Sequence, residues 1–105
     1  KNTEQIIEDK LNYWSFATGI EYNSFKVHDA TTRYGSCVKS RKALNFSSRL
    51  VMLPSRIIDA IVVHELCHIE QANHGPKFYG LVEKYMPDYK EADRWLKENN
   101  NLLNL

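Results

Sequence analysis

The sequence predicts an α+β fold, with a small three-stranded sheet packed on one buried helix and further helices on its flanks. Three observations carry this. Apolar residues recur at helical spacing near the start, from Ser55 to Ala72, and again after Gly75. Between Glu21 and Ser47 the period shortens to alternation. The stretch Ile57-Ile58, Ala60 to Val63, Leu66-Cys67 and Ile69 leaves almost no polar surface, which marks the helix that carries it as central and buried.

The first helix should run from about Thr3 to Thr18. Ile7, Leu11, Trp14 and Thr18 form its stripe, with Asn2 or Thr3 as the N-cap and Gly19 as its end. Phe25 and Val27 alternate with polar neighbours, so Ser24 to His28 reads as a short strand. Two extended runs, Thr31 to Cys37 and Ala43 to Phe46, flank the polar Lys39-Ser40-Arg41-Lys42 and read as a hairpin. Gly35 inside a strand signals a bulge or the close approach of another group to the backbone, for which a bound peptide is one candidate.

Leu50 to Leu53 is a short apolar run, and Pro54 with Ser55 opens the buried helix. That helix must break near Gln71-Ala72-Asn73, and Asn73 is a residue that tolerates the left-handed turn ending many helices. Gly75-Pro76 starts another helix, buried through Phe78, Leu81, Val82 and Tyr85. Pro87 stops it, and Asp88 can cap a last helix from Tyr89 to about Glu98.

At 105 residues, with 43% hydrophobic and 26% charged, the chain fits one globular domain, and no domain boundary is expected. Fourteen lysines and arginines nearly balance thirteen aspartates and glutamates, so charge does not indicate a nucleic-acid partner. No run is long enough to cross a membrane, and the charged start is not a signal peptide. Two cysteines, Cys37 and Cys67, are too few for a disulfide scaffold and suit a reducing, cytoplasmic setting. A start at lysine rather than methionine suits a fragment or a processed product.

The chemistry concentrates at His64-Glu65-Leu66-Cys67-His68. Two histidines four residues apart leave one face of a helix with Cβ atoms about 5–6 Å apart. That is the reach needed to share one metal at about 2.0–2.1 Å from each nitrogen. Glu65 sits one step, about 100°, round the helix, where it can serve a metal-bound water without becoming a ligand. On a helix otherwise apolar, such a group is hard to place without a metal.

A third protein ligand is required. Continued as helix, the chain would carry His74 to the wrong side and roughly 9 Å along, and the break before it repairs this. Glu83 and Glu91 are the rivals for the position, with Cys37 a remote one. Cys67 and Met86 fit core roles. One Zn2+ per chain with an open position would lower the pKa of its water to about 7, and Glu65 would take a proton from that water and pass it to the leaving amine. Tyr34, Tyr79 and His28 are candidate donors to the developing oxyanion. The ligand imidazoles should find acceptors, such as Glu83, Asp59 or a backbone carbonyl.

The ordered series Thr32-Arg33-Tyr34-Gly35-Ser36-Cys37, Leu44-Asn45, Val62 to His68, Asn73 to Tyr79 and Tyr85 to Lys90 resembles the YgjP-like metallopeptidase domain, related to the SprT-like and WLM zinc proteases. The similarity runs from about Ile6 to Leu96. It implies a minimal zincin spanning residues 1–105, with zinc held by His64, His68 and His74 and Glu65 as general base. Tyr34 and Tyr79 stand where that family more often has tryptophan.

Three functions follow. A zinc endopeptidase would take an extended peptide or protein substrate along Tyr34-Gly35-Ser36-Cys37, with Tyr79 nearby. A zinc-dependent nucleotide pyrophosphatase, an activity attached to a similar protein, is disfavoured by the lack of a Gly-rich phosphate loop and of a clear cluster of basic side chains near the motif. Arg33, Lys39, Arg41 and Lys42 are the nearest basic pool. A non-catalytic docking module with structural zinc would have no need of Glu65. The apolar tail with Leu102 and Leu103 can dock back into the cleft and restrain activity.

Overall fold

A computed structural model of the chain describes residues 2–99. Helix α1 spans Thr3–Thr18, where the Asn2 side chain accepts from Gln5 N–H at 2.8 Å and Gly19 closes the far end at φ 74°. Glycine is suited to that position because no Cβ opposes the left-handed conformation. Strand β1 is Ser24–His28, β2 is Gly35–Val38 and β3 is Ala43–Ser47. A 3-10 turn over Lys39–Arg41 joins β2 to β3, with Lys42 at φ 50°.

The expected hairpin is present, with β2 antiparallel to β3. The sheet order is β1-β3-β2, so β3 is central and pairs with β1 in parallel. Leu44 and Phe46 of β3 are buried against the helices, while Asn45 faces the other way.

The expected apolar helix is α2, Ser55–Glu70, entered through Pro54 after a 3-10 turn over Ser48–Met52. It packs on β2 and is surrounded by α1, α3 (Pro76–Tyr85) and α4 (Tyr89–Glu98). Ile57, Ala60, Val62, Val63, Leu66 and Cys67 are all fully or almost fully enclosed. Met86 and Cys67 fill core space as expected. At about 25 cal/mol per Å² of apolar surface, this helix carries the largest share of the burial that holds the chain together.

Two local expectations are corrected. The helix ends because Gln71 is extended, at φ −130° and ψ 107°, while Asn73 is not left-handed; Lys42 is the non-glycine residue with positive φ among the described residues. Asp88 occupies the N-cap of α4, yet its side chain makes no capping hydrogen bond there. The apolar tail with Leu102 and Leu103 lies outside the described residues. No helix among the described residues is long and apolar enough to cross a membrane.

Candidate metal centre

Helix α2 brings His64 and His68 to one side, and the extended Gln71 turns the chain back so that His74 meets them. Their Nε2 atoms lie 3.1 Å (His64 to His68), 2.9 Å (His68 to His74) and 3.2 Å (His64 to His74) apart. Three nitrogens at about 2.0–2.1 Å from one tetrahedral ion stand about 3.3 Å from each other, so the cluster is within a few tenths of an ångström of a metal-ready arrangement. Among the described residues this is the group of His, Cys, Asp and Glu side chains that can hold a metal ion. Glu83, Glu91 and Cys37 do not join it.

The tautomers agree. The Gln71 carbonyl lies 3.1 Å from His68 Nδ1 and can only accept, so Nδ1 carries the proton and Nε2 presents a bare lone pair. Tyr89 Oη lies 2.7 Å from His64 Nδ1, and a phenol, which can donate or accept, serves as the acceptor when His64 Nε2 is the bare nitrogen turned to the cluster. The acceptors are therefore a backbone carbonyl, as expected, and a phenol that was not. Asp59, one of the expected partners, is instead held by Lys10 at 3.0 Å and by Trp14 Nε1–H at 2.9 Å. Phe78, fully buried, forms the floor: its ring stacks on His68 at 4.3 Å and meets His64 and His74 edge-on at 4.9 and 5.1 Å.

Electrostatics favour the neutral form of His64 and His68. Burial, reinforced by the neighbouring His68 and His74, lowers the His64 pKa to about 4. Burial lowers His68 as well. Neutral imidazoles packed this closely, with lone pairs facing one another, repel unless a cation lies between them, so the donor set fits a bound metal.

Glu65 lies beside them, 6% exposed, and burial raises its pKa to about 7 against the opposing pull of Arg33. The reason it fits is Gly35. A Cβ there would come within 3.0 Å of Glu65 Cγ and 3.1 Å of Oε2, so the close approach foreseen at Gly35 is made by the buried carboxylate of α2.

The cleft above the histidines has a volume of about 380 Å³, and β2 forms one wall. Ser47 N–H donates to the Tyr34 carbonyl at 2.8 Å, which sets the alternation of the ladder. Ser36 therefore pairs its backbone with Asn45, and Gly35 and Cys37 turn theirs outward along the open edge. Of the expected substrate-contacting residues, Gly35, Ser36 and Cys37 line this cleft. Tyr34 lines an adjoining pocket of about 170 Å³, and its buried hydroxyl has no hydrogen-bond partner among the described residues. Tyr79 stacks on His74 at 6.1 Å, and His28 lines neither cavity but a small one of about 30 Å³ that Tyr34 also lines. Arg33 and Lys39, absent from the expected site, both line the cleft.

A small α+β fold with three convergent imidazoles and a buried carboxylate beside them defines a metal-dependent hydrolase. The chain belongs to the YgjP-like family, whose metallopeptidase domain matches residues 1–99, and the family implies both a peptidase and a metal ion. In fold it is similar to the crystal structure of the metallopeptidase zymogen jannalysin of Methanocaldococcus jannaschii, with a TM-score of 0.77 and 22% identity over 90% of this chain and 96% of that one. It is similar in the same way to the metallopeptidase zymogen abylysin of Pyrococcus abyssi, with a TM-score of 0.77 and 21% identity over 90% and 95%. A comparison with curated proteins gives no match. The α+β expectation and the resemblance to this family are thereby met.

Proposed function

We propose that this metallopeptidase uses zinc, held by His64, His68 and His74, and hydrolyses peptide bonds with Glu65 as general base. The observation that carries the reading is the convergence of three Nε2 atoms within 3.2 Å beside a carboxylate whose pKa burial lifts to about 7. Zinc held there would supply Lewis acidity, the chemistry that makes a water nucleophilic near neutral pH and a scissile carbonyl electrophilic.

Glu65 accepts the proton of the attacking water and delivers it to the departing amine, so the carboxylate ends the cycle ionised as it began. A group titrating near neutral pH is suited to both transfers. His64 and His68 are kept in the ligating tautomer by Tyr89 Oη and the Gln71 carbonyl. An extended peptide adds to the open edge of β2 through the backbone of Gly35 and Cys37, with Ser36 between them. The Tyr34 hydroxyl, buried and without a partner among the described residues, reaches bound substrate when its ring turns toward the cleft, and Tyr79 flanks the third ligand. A cytoplasmic setting belongs to the same reading, supported by the sparse cysteine usage.

The test measures metal content with parallel turnover of peptides and nucleoside triphosphates, in the wild type and Glu65→Gln. The variant should keep one zinc and lose peptide cleavage. Cleavage that survives removes Glu65 from the mechanism, and triphosphate turnover without peptide turnover favours the pyrophosphatase instead.

A further inference from the structure

Four residues of the cleft wall share one parity along the chain: Arg33, Gly35, Cys37 and Lys39. In the extended strand β2, Gly35 and Cys37 fall on one face, which looks onto α2; Arg33 precedes the strand and Lys39 opens the 3-10 turn after it, and both line the cleft with them. The two small residues lie opposite Glu65, and a cation stands two residues beyond each of them. Both Arg33 and Lys39 are exposed, and neither has an ion-pair partner among the described residues. Their fields reach the site: Arg33 acts on Glu65, and Lys39 acts on Cys37.

The wall carries little to offset them. Glu65 is the only carboxylate lining the cleft among the described residues, and it is buried. A chain whose formal net charge is only +1 thus gathers positive charge without ion-pair partners at the one cleft that is metal-ready among the described residues. Metal binding adds to it.

We propose that the cleft selects peptides bearing acidic side chains on both sides of the scissile bond, read by Arg33 on one side and Lys39 on the other. The proposal rests on the peptidase reading above and adds the substrate class to it. An acidic residue two or three positions from the cut on each side meets one of the two cations, while the backbone between them pairs with Gly35 and Cys37. Lysine at the same positions meets like charge. Complementarity of this kind acts mainly on encounter and on rejection of wrong partners, and it weakens with salt.

The experiment compares three peptides identical except for glutamate, glutamine or lysine flanking the cleavage point. They are offered to the zinc-loaded full chain, to Arg33→Glu with Lys39→Glu, and to the neutral pair Arg33→Gln with Lys39→Gln. The wild type should prefer the glutamate peptide over the lysine peptide by about tenfold in kcat/KM at low salt, with the ratio shrinking as salt rises. The neutral pair should abolish the ratio and the reversed pair should invert it, a change that loss of structure does not produce.

Binding of the same peptides to Glu65→Gln, followed by fluorescence anisotropy, reads the preference without turnover. Equal affinity for all three, or a preference untouched by charge reversal, overturns the proposal while leaving the peptidase reading intact. Charge-dependent binding without cleavage in the wild type counts instead against the peptidase reading. A single-stranded oligonucleotide that displaces the glutamate peptide at lower concentration than free glutamate peptide does would assign the cations to nucleic acid and overturn the proposal.

Discussion

Gly35 and Glu65 are in such close contact that a single added carbon at the glycine would lie 3.0 Å from the glutamate's Cγ and 3.2 Å from the Asn45 carbonyl. The edge of the sheet and the central helix therefore meet at the one carboxylate of the cleft, and neither can yield without moving the other.

Gly35→Ala should consequently cost about 1–3 kcal/mol in overpacking. Displacement of the carboxylate by even about 1 Å should lower kcat about 10²-fold. Thermal unfolding and peptide turnover check both. An alanine variant with wild-type kcat would mean that Glu65 need not stand where the glycine allows it.

Tyr89→Phe removes the acceptor that His64 Nδ1–H reaches at 2.7 Å. Burial first, and then the charge of Asp93, raise the Tyr89 phenol, so the hydroxyl is neutral at all ordinary pH. Loss of such an outer partner should weaken metal binding about 10–100-fold. Competition against a fluorescent chelator measures it, and unchanged affinity would show that the ring needs no partner to hold its tautomer.

Acid stability of the chelator-treated chain should expose two opposed contributions. His64, lowered to about 4, and His68, also lowered, take up protons more readily when unfolded, so they cost stability as pH falls from about 6.5 toward 4. Glu65, raised to about 7, binds its proton more tightly when folded, so its contribution improves as pH falls from 7 toward 4.5. Glu65→Gln deletes only the second. Its melting temperature should therefore fall more steeply than that of the wild type between pH 6.5 and 4.5, and parallel curves would contradict this assignment.

Tyr34→Phe separates stability from substrate contact. Because the hydroxyl is buried without a partner, its removal should leave the melting temperature level or raise it by up to the equivalent of about 1 kcal/mol. A fall in kcat/KM alongside would place the hydroxyl on the substrate. A drop in melting temperature would reveal a hydrogen bond that the variant breaks.

Elements built on local periodicity were legible in the sequence. Helix α1 with its Asn2 cap and Gly19 stop, strand β1 and helix α4 fall where spacing and punctuation put them. The His64, Glu65 and His68 arrangement was legible for the same reason, since four residues of helix determine it. What escaped depends on groups distant in the chain. Parallel pairing of β1 with β3 is a choice among sheet orders that alternation does not rank. Tyr89 reaches His64 from another helix, and a phenol carries no motif that announces it. Asp59 was a reasonable partner for an imidazole until Lys10 and Trp14 of α1 claimed it. Arg33 precedes β2, so strand alternation does not place it, and the folded cleft is what brings it near Glu65.

The three imidazoles all come from the single stretch His64 to His74, so a bound metal ties the end of α2 to the start of α3 and clamps nothing in the sheet. Closing so short a loop takes little entropy, and the sheet with α1 keeps its own packing in either case. Metal removal should therefore appear in amide hydrogen exchange as faster opening of residues 71–78, with the amides of β3 and of the first turns of α2 unchanged. Exchange that quickens evenly across the sheet would mean that the ion holds the whole molecule rather than this one seam.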